Sequence, residues 1–169
     1  WSQFNAALAR KAVESSFPTW ISSRVRYISP HMATADKFSC LIVEDDNAFA
    51  TMAAQVVRGE GGVVTSAKNL AEAREATAAR AFDLVLLDNH LPDGKGYEFF
   101  DHLARRNPDA PIVMITGLPD LSEAIALTRN GLFDYLTKPI AVDALVACLQ
   151  RAKLRLATRQ TSARPTEFF

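Results

Sequence analysis

Leu84-Val85-Leu86-Leu87-Asp88-Asn89-His90-Leu91-Pro92-Asp93-Gly94 is the stretch on which the reading of the chain turns. Four large aliphatic residues end abruptly in a carboxylate, and a loop with Pro92 and Gly94 follows. An uninterrupted apolar run of this length between turn signals suits a strand buried on both faces of a parallel sheet. Asp88 then stands at the carboxyl end of that strand, where open α/β sheets place their ligand sites.

Three further runs have the same form. Cys40-Leu41-Ile42-Val43 ends in Glu44-Asp45-Asp46, and Ile112-Val113-Met114-Ile115 ends in Thr116-Gly117. Leu132-Phe133-Asp134-Tyr135-Leu136-Thr137 ends in Lys138-Pro139. If these strands are parallel, one rim of the sheet gathers several carboxylates, a hydroxyl and an ammonium. Helical patterns separate them. Phe49, Met52, Val56 and Val57 recur at helical spacing behind Asp46 or Asn47 as cap, and Gly59, Gly61 and Gly62 stop that helix. Val63-Val64-Thr65 reads as a short strand, and an alanine-rich helix opens near Asn69. Tyr97, Phe100, Leu103 and Ala104 are expected to face inward on a third helix, and Leu121, Ala124, Ile125 and Leu127 on a fourth. Val142, Leu145, Val146, Leu149 and Ala152 mark a fifth, with Arg151, Lys153 and Arg155 on a solvated outer face. Five strand–helix units predict an α/β fold, a (βα)5 doubly wound parallel sheet with helices on both faces.

Composition sets outer bounds. The 169 residues are 49% hydrophobic and 22% charged, enough for one domain with a real core. Lys+Arg and Asp+Glu balance at 19 each, which argues against a strongly basic nucleic-acid surface. Cys40 and Cys148 lie far apart inside apolar patterns, so buried thiols in a reducing cytoplasm are expected rather than a disulfide framework. No stretch approaches a membrane span or the apolar core of a signal peptide. Residues 1–36 show no strand–helix alternation, although Phe4, Leu8 and Ala12 could line a short helix before Pro18. They are expected to be an N-terminal extension, upstream or cloning-derived, since His31-Met32 is a dipeptide that cloning junctions leave. Residues 37–156 form the expected domain, and residues 157–169, polar and broken by Pro165, a tail or truncated linker.

Val43-Glu44-Asp45, Leu87-Asp88 with Leu91-Pro92-Asp93-Gly94, Thr116-Gly117, and Tyr135-Leu136-Thr137-Lys138-Pro139 together resemble the receiver domain of two-component response regulators, in order and in spacing. The resemblance covers roughly residues 37–156. It implies the flavodoxin-like fold with strand order 2-1-3-4-5, an architecture for which a receiver protein is a standard example. It implies that Asp88 is the phosphoacceptor, a nucleophile taking a phosphoryl group from a sensor histidine kinase or a histidine phosphotransfer protein. Glu44, Asp45, Asp88 and the backbone carbonyl of His90 would hold Mg²⁺ (or Mn²⁺), which suits hard oxygen donors. Thr116 and Lys138 would contact the phosphoryl oxygens. Lys138-Pro139 would be a cis peptide. Thr116 and Tyr135 would form the switch, altering the surface of the fourth helix, fifth strand and fifth helix for partner docking or a homodimer. Such a chain is a cytoplasmic signalling switch, catalysing only its own phosphoryl transfer and dephosphorylation, with no direct nucleic-acid or membrane binding.

His90 departs from the family, whose side chain there is more often small, amide-bearing or nonpolar. Substituting it is expected to change the lifetime of the phosphorylated form. His102 is expected on the wet surface of the third helix. Rival functions fit less well. An Asp-nucleophile phosphatase would carry an acid where His90 stands, and a P-loop enzyme needs GxxxxGK[ST], which is absent. In a flavodoxin the phosphate would meet Glu44-Asp45-Asp46. The serious alternative is a non-phosphorylated receiver-like interaction module.

Overall fold

The computed structural model describes residues 37–162; the expected N-terminal extension, with its Phe4, Leu8 and Ala12 face, lies outside the described residues, as do residues 163–169. The elements alternate as the apolar runs dictate: β1 (Phe38–Val43), α1 (Asn47–Gly59), β2 (Gly62–Ala67), α2 (Leu70–Ala79) and β3 (Leu84–Asp88). After a two-residue ladder joining His90–Leu91 to Gly94–Lys95 come α3 (Gly96–Arg106), β4 (Ile112–Thr116), α4 (Leu121–Arg129), β5 (Asp134–Thr137) and α5 (Val142–Ser162). All pairings in the main sheet are parallel, in the order β2-β1-β3-β4-β5. This is the doubly wound, flavodoxin-like arrangement expected from the sequence.

The period-two alternation of the strands sorts the core into two layers. Leu41, Val43, Val85, Leu87 and Met114 point to one face, where Leu70, Ala73, Phe99, Phe100, Leu103 and Leu127 cover them. Cys40, Ile42, Leu84, Leu86, Val113 and Ile115 point to the other, under Ala53, Ala54 and Val57 of α1 and Leu145, Cys148, Leu149 and Ala152 of α5. Every residue of β3 is buried, which explains its unbroken apolar run. The chain winds outward from β1 in both directions, so β1 and β3 bound the crevice at the carboxyl ends of the strands.

Helix starts follow local chemistry. Asp46 caps α1, accepting from the backbone N–H groups of Ala48 and Phe49, and Asn69 and Asp120 cap α2 and α4. Behind α1 the turn passes through Gly61 at φ 89°, in the left-handed region that glycine enters at little cost.

Several inward faces differ from their expected composition. On α3 the centre of the buried stripe is Phe99 with Phe100 and Leu103, while Tyr97 and Ala104 sit at its margins, partly buried. On α4 only Leu127 is buried; Leu121 is 77% and Ile125 46% exposed. On α5 the stripe is Leu145, Cys148, Leu149 and Ala152, and Val142, which opens the helix, is exposed. The basic residues of α5 are not a free wet face. Arg151 pairs with Asp134, Lys153 donates to the Glu60 carbonyl at 2.8 Å and its carboxylate at 3.1 Å, and Arg155 lies over the Phe133 ring. Their long stems reach across α5 to neighbouring elements. The helix continues to Ser162, into the segment expected as tail. His102 is half-buried rather than solvated. Its ring stacks on Phe99 at 4.7 Å between centroids. Burial, reinforced by Arg74, Arg106 and Arg105, holds its pKa below the ordinary imidazole value.

Candidate functional site

The parallel register brings the polar ends of four strands to one rim. Glu44 and Asp45 follow β1, Asp88 ends β3, Thr116 ends β4 and Lys138 follows β5. Lys138 Nζ lies 2.9 Å from Asp88 Oδ2 and 2.9 Å from Glu44 Oε1. It is also 2.7 Å from Glu44 Oε2, off the hydrogen-bonding direction of that oxygen. The ammonium is thus held between two carboxylates from strands on either side of the crevice. The ring of Phe49 closes a third side, its centroid 4.7 Å from Nζ, a cation–π contact. The backbone delivers this lysine through a cis Lys138–Pro139 peptide, with Lys138 N donating to Thr116 O at 2.7 Å.

Burial makes these charges interdependent. Asp88, Glu44 and Thr116 are all buried. A buried carboxylate without a partner is costly, whereas a well-placed cation offsets much of its desolvation. Burial pushes the pKa of Glu44 up to about 7; the hydrogen bond from Lys138 works against that rise and the charge of Asp88 adds to it. Burial opposes the charge on Lys138, but hydrogen bonds to Glu44 and Asp88 outweigh it and hold its pKa above the ordinary value.

Glu44, Asp45 and Asp88 each present a carboxylate oxygen, and these oxygens lie within 4.8 Å of one another. Three carboxylates facing one ammonium leave the pocket with excess negative charge. Hard oxygen donors so close together, with Asp45 exposed to solvent, fit a divalent cation that keeps some of its water.

The loop after β3 is fastened by its own residues. His90 N donates to Asp88 Oδ1 at 3.1 Å. The imidazole Nδ1 of His90 lies 3.4 Å from Thr116 Oγ1, so the side chain that departs from the family reaches the hydroxyl at the end of β4. Thr116 Oγ1 also accepts from Leu118 N at 3.1 Å. Tyr135 is half-buried, and its hydroxyl accepts from Asp120 N at 3.4 Å. At Gly96 a Cβ would come within 2.2 Å of the Asp88 carbonyl oxygen, so only glycine lets α3 start against the end of β3.

All the expected side chains therefore meet at one rim except Tyr135, which stands one layer out, beside the start of α4. Sequence reasoning missed Asn89, Asp93, Glu123 and Phe49. Asp93 accepts from Leu70 N and Ala71 N at 2.8 and 2.9 Å, so the β3–α3 loop caps α2. An acid in a Pro-Asp-Gly turn was the available signal, but the helix it caps lies 23 residues earlier in the chain.

Comparison with known proteins agrees with this geometry. The response regulator receiver domain family matches residues 40–150. The chain is 39% identical over 102 residues to the response regulator protein PilR of Pseudomonas aeruginosa, covering 60% of this chain and 23% of PilR. It is 32% identical over 111 residues to the DNA-binding transcriptional regulator NtrC of Escherichia coli, covering 66% of this chain and 24% of NtrC. The chain thus spans about a quarter of the length of these relatives. A response regulator of Burkholderia pseudomallei, solved with a phosphorylated aspartic acid, calcium ion and citrate, superposes with a TM-score of 0.63 at 28% identity, over 77% of this chain and 76% of that one.

Proposed function

Since the chain belongs to the response regulator receiver domain family, we propose that Asp88 accepts a phosphoryl group from a phosphohistidine on a sensor kinase or phosphotransfer protein. A carboxylate oxygen of Asp88 attacks phosphorus, the P–N bond to the donor imidazole breaks, and an aspartyl phosphate forms. The observation that carries this reading is the juxtaposition of Lys138 Nζ, 2.9 Å from Asp88 Oδ2, with three carboxylate oxygens within 4.8 Å of one another. A nucleophile, a cation-binding set and a fixed ammonium then share one pocket.

Glu44, Asp45 and Asp88, with the backbone carbonyl of His90, are the residues that would hold Mg²⁺ or Mn²⁺. The ion supplies charge neutralisation, which lets an anionic phosphoryl group approach an anionic nucleophile. Lys138 leaves Glu44 to meet phosphoryl oxygens, and Thr116 gives up its contacts with Leu118 and His90 to donate its hydroxyl. Tyr135 moves into the space beside Thr116, and the surface formed by α4, β5 and α5 changes for a partner or a second copy. The chain acts as a signalling switch whose only catalysis is on its own aspartyl group. Residues 37–156 carry this function. Among the described residues no helix is long and apolar enough to cross a membrane.

Incubation with acetyl phosphate and Mg²⁺ followed by intact mass measurement tests this. One added phosphoryl group is expected, absent when Mg²⁺ is chelated and absent in Asp88→Asn. No added mass on the parent would overturn the proposal in favour of a receiver-like interaction module that is never phosphorylated.

A further inference from the structure

Asn89, next to the phosphoacceptor, is 1% exposed and bonded in four directions. Its backbone N–H donates to Ile115 O at 2.9 Å and its carbonyl accepts from Gly96 N at 3.0 Å. Its side-chain Oδ1 accepts from Tyr97 N at 3.0 Å. Its Nδ2 donates to Glu123 Oε2, in the first turn of α4, at 2.8 Å. One residue therefore ties the Asp88 loop to β4, α3 and α4 together.

The bond to α4 matters because that helix has little else. Leu127 is its one buried residue, with Leu121 and Ile125 turned to solvent. The contact from Asp120 N to the Tyr135 hydroxyl is long, at 3.4 Å, and weak at that distance. The Asn89–Glu123 bond is short and has a charged acceptor, the stronger kind of hydrogen bond. A buried amide deprived of it would have little water to turn to.

We propose that Asn89 and Glu123 form a latch fixing the resting position of α4 to the phosphoacceptor loop, a coupling route separate from Thr116 and Tyr135. The proposal rests on Asp88 being the phosphoacceptor only for its regulatory consequence. Charging Asp88 shifts the loop that carries the Asn89 amide, which loosens the first turn of α4 directly. Asn89 and Glu123 are positioning residues, since neither touches the reacting atoms.

Two variants of Glu123 separate the hydrogen bond from the charge. Glu123→Ala loses both, whereas Glu123→Gln keeps an acceptor and loses only the charge that favours a helix N-terminus. Amide hydrogen exchange of α4 is read on full-length protein without phosphoryl donor. Glu123→Ala is expected to raise exchange in the first two turns by about tenfold, the scale of a hydrogen bond to a charged group, with Glu123→Gln near the parent. Adding Glu123→Ala to Asn89→Ala is expected to change nothing further, because the two act through one bond. In the parent, acetyl phosphate with Mg²⁺ is expected to raise exchange in the same amides. Exchange in Glu123→Ala equal to the parent, or Glu123→Gln rising as far as Glu123→Ala, would overturn the latch. Those comparisons need no phosphorylation, so they fail or succeed separately from the reading of Asp88.

Discussion

The last two helices flank the same edge strand, yet they are held in opposite ways. α5 sinks Leu145, Cys148, Leu149 and Ala152 into the core, each fully buried, and its basic residues reach out to Asp134, Glu60 and Phe133. α4 buries Leu127 alone and depends at its start on the polar contacts of Asp120, Tyr135 and Asn89. Apolar burial is non-directional and resists small shifts, whereas a few directed hydrogen bonds can be exchanged for others at little net cost. The lightly packed helix is therefore the one that can shift at lower cost, and its neighbour is anchored. The cost falls on α4, which shows the large aliphatic side chains of Leu121 and Ile125 to solvent.

The largest effect that could break this contrast is on global stability. Leu149→Ala opens a cavity between α5 and the sheet and is expected to lower unfolding stability by about 2–5 kcal/mol in urea denaturation. Leu121→Ala, at a position 77% exposed, is expected to stay within about 0.5 kcal/mol of the parent. Equal losses would mean that α4 is packed as firmly as α5. A smaller effect concerns α3, which buries Phe99, Phe100 and Leu103 and so sides with α5. Burial depresses the pKa of His102 from its ordinary 6.5, so the folded state binds fewer protons there than the unfolded chain. Its contribution is complete above the ordinary value, declines as pH falls from there toward the lower folded pKa, and is flat below it. NMR titration is expected to show His102 deprotonating below the ordinary imidazole range, and Phe in its place should remove that part of the pH dependence.

The fold was legible because each buried strand is an aliphatic run closed by a polar residue, a pattern that fixes burial and direction at once. Asp88, Glu44, Asp45, Thr116 and Lys138 were legible for the same reason: parallel strands carry their ends to one rim. The face of α4 was not, because Leu121 and Ile125 recur at helical spacing whether the stripe meets a core or solvent. The roles of Arg151, Lys153 and Arg155 depend on where their long side chains reach, and helical position does not specify that. Asn89 and Glu123 are 34 positions apart, and no periodic signal joins them. The contact between His90 and Thr116 depends equally on the path of a loop.

The central claim is that one carboxylate among several in the pocket is the nucleophile. Borohydride reduction of the protein after treatment with acetyl phosphate and Mg²⁺, followed by tryptic peptide sequencing by mass spectrometry, locates any acyl phosphate, since reduction leaves homoserine where an aspartyl phosphate stood. The account predicts homoserine at Asp88 within the peptide spanning 81–95. Homoserine at Asp45 or Asp93 with Asp88 intact would contradict it.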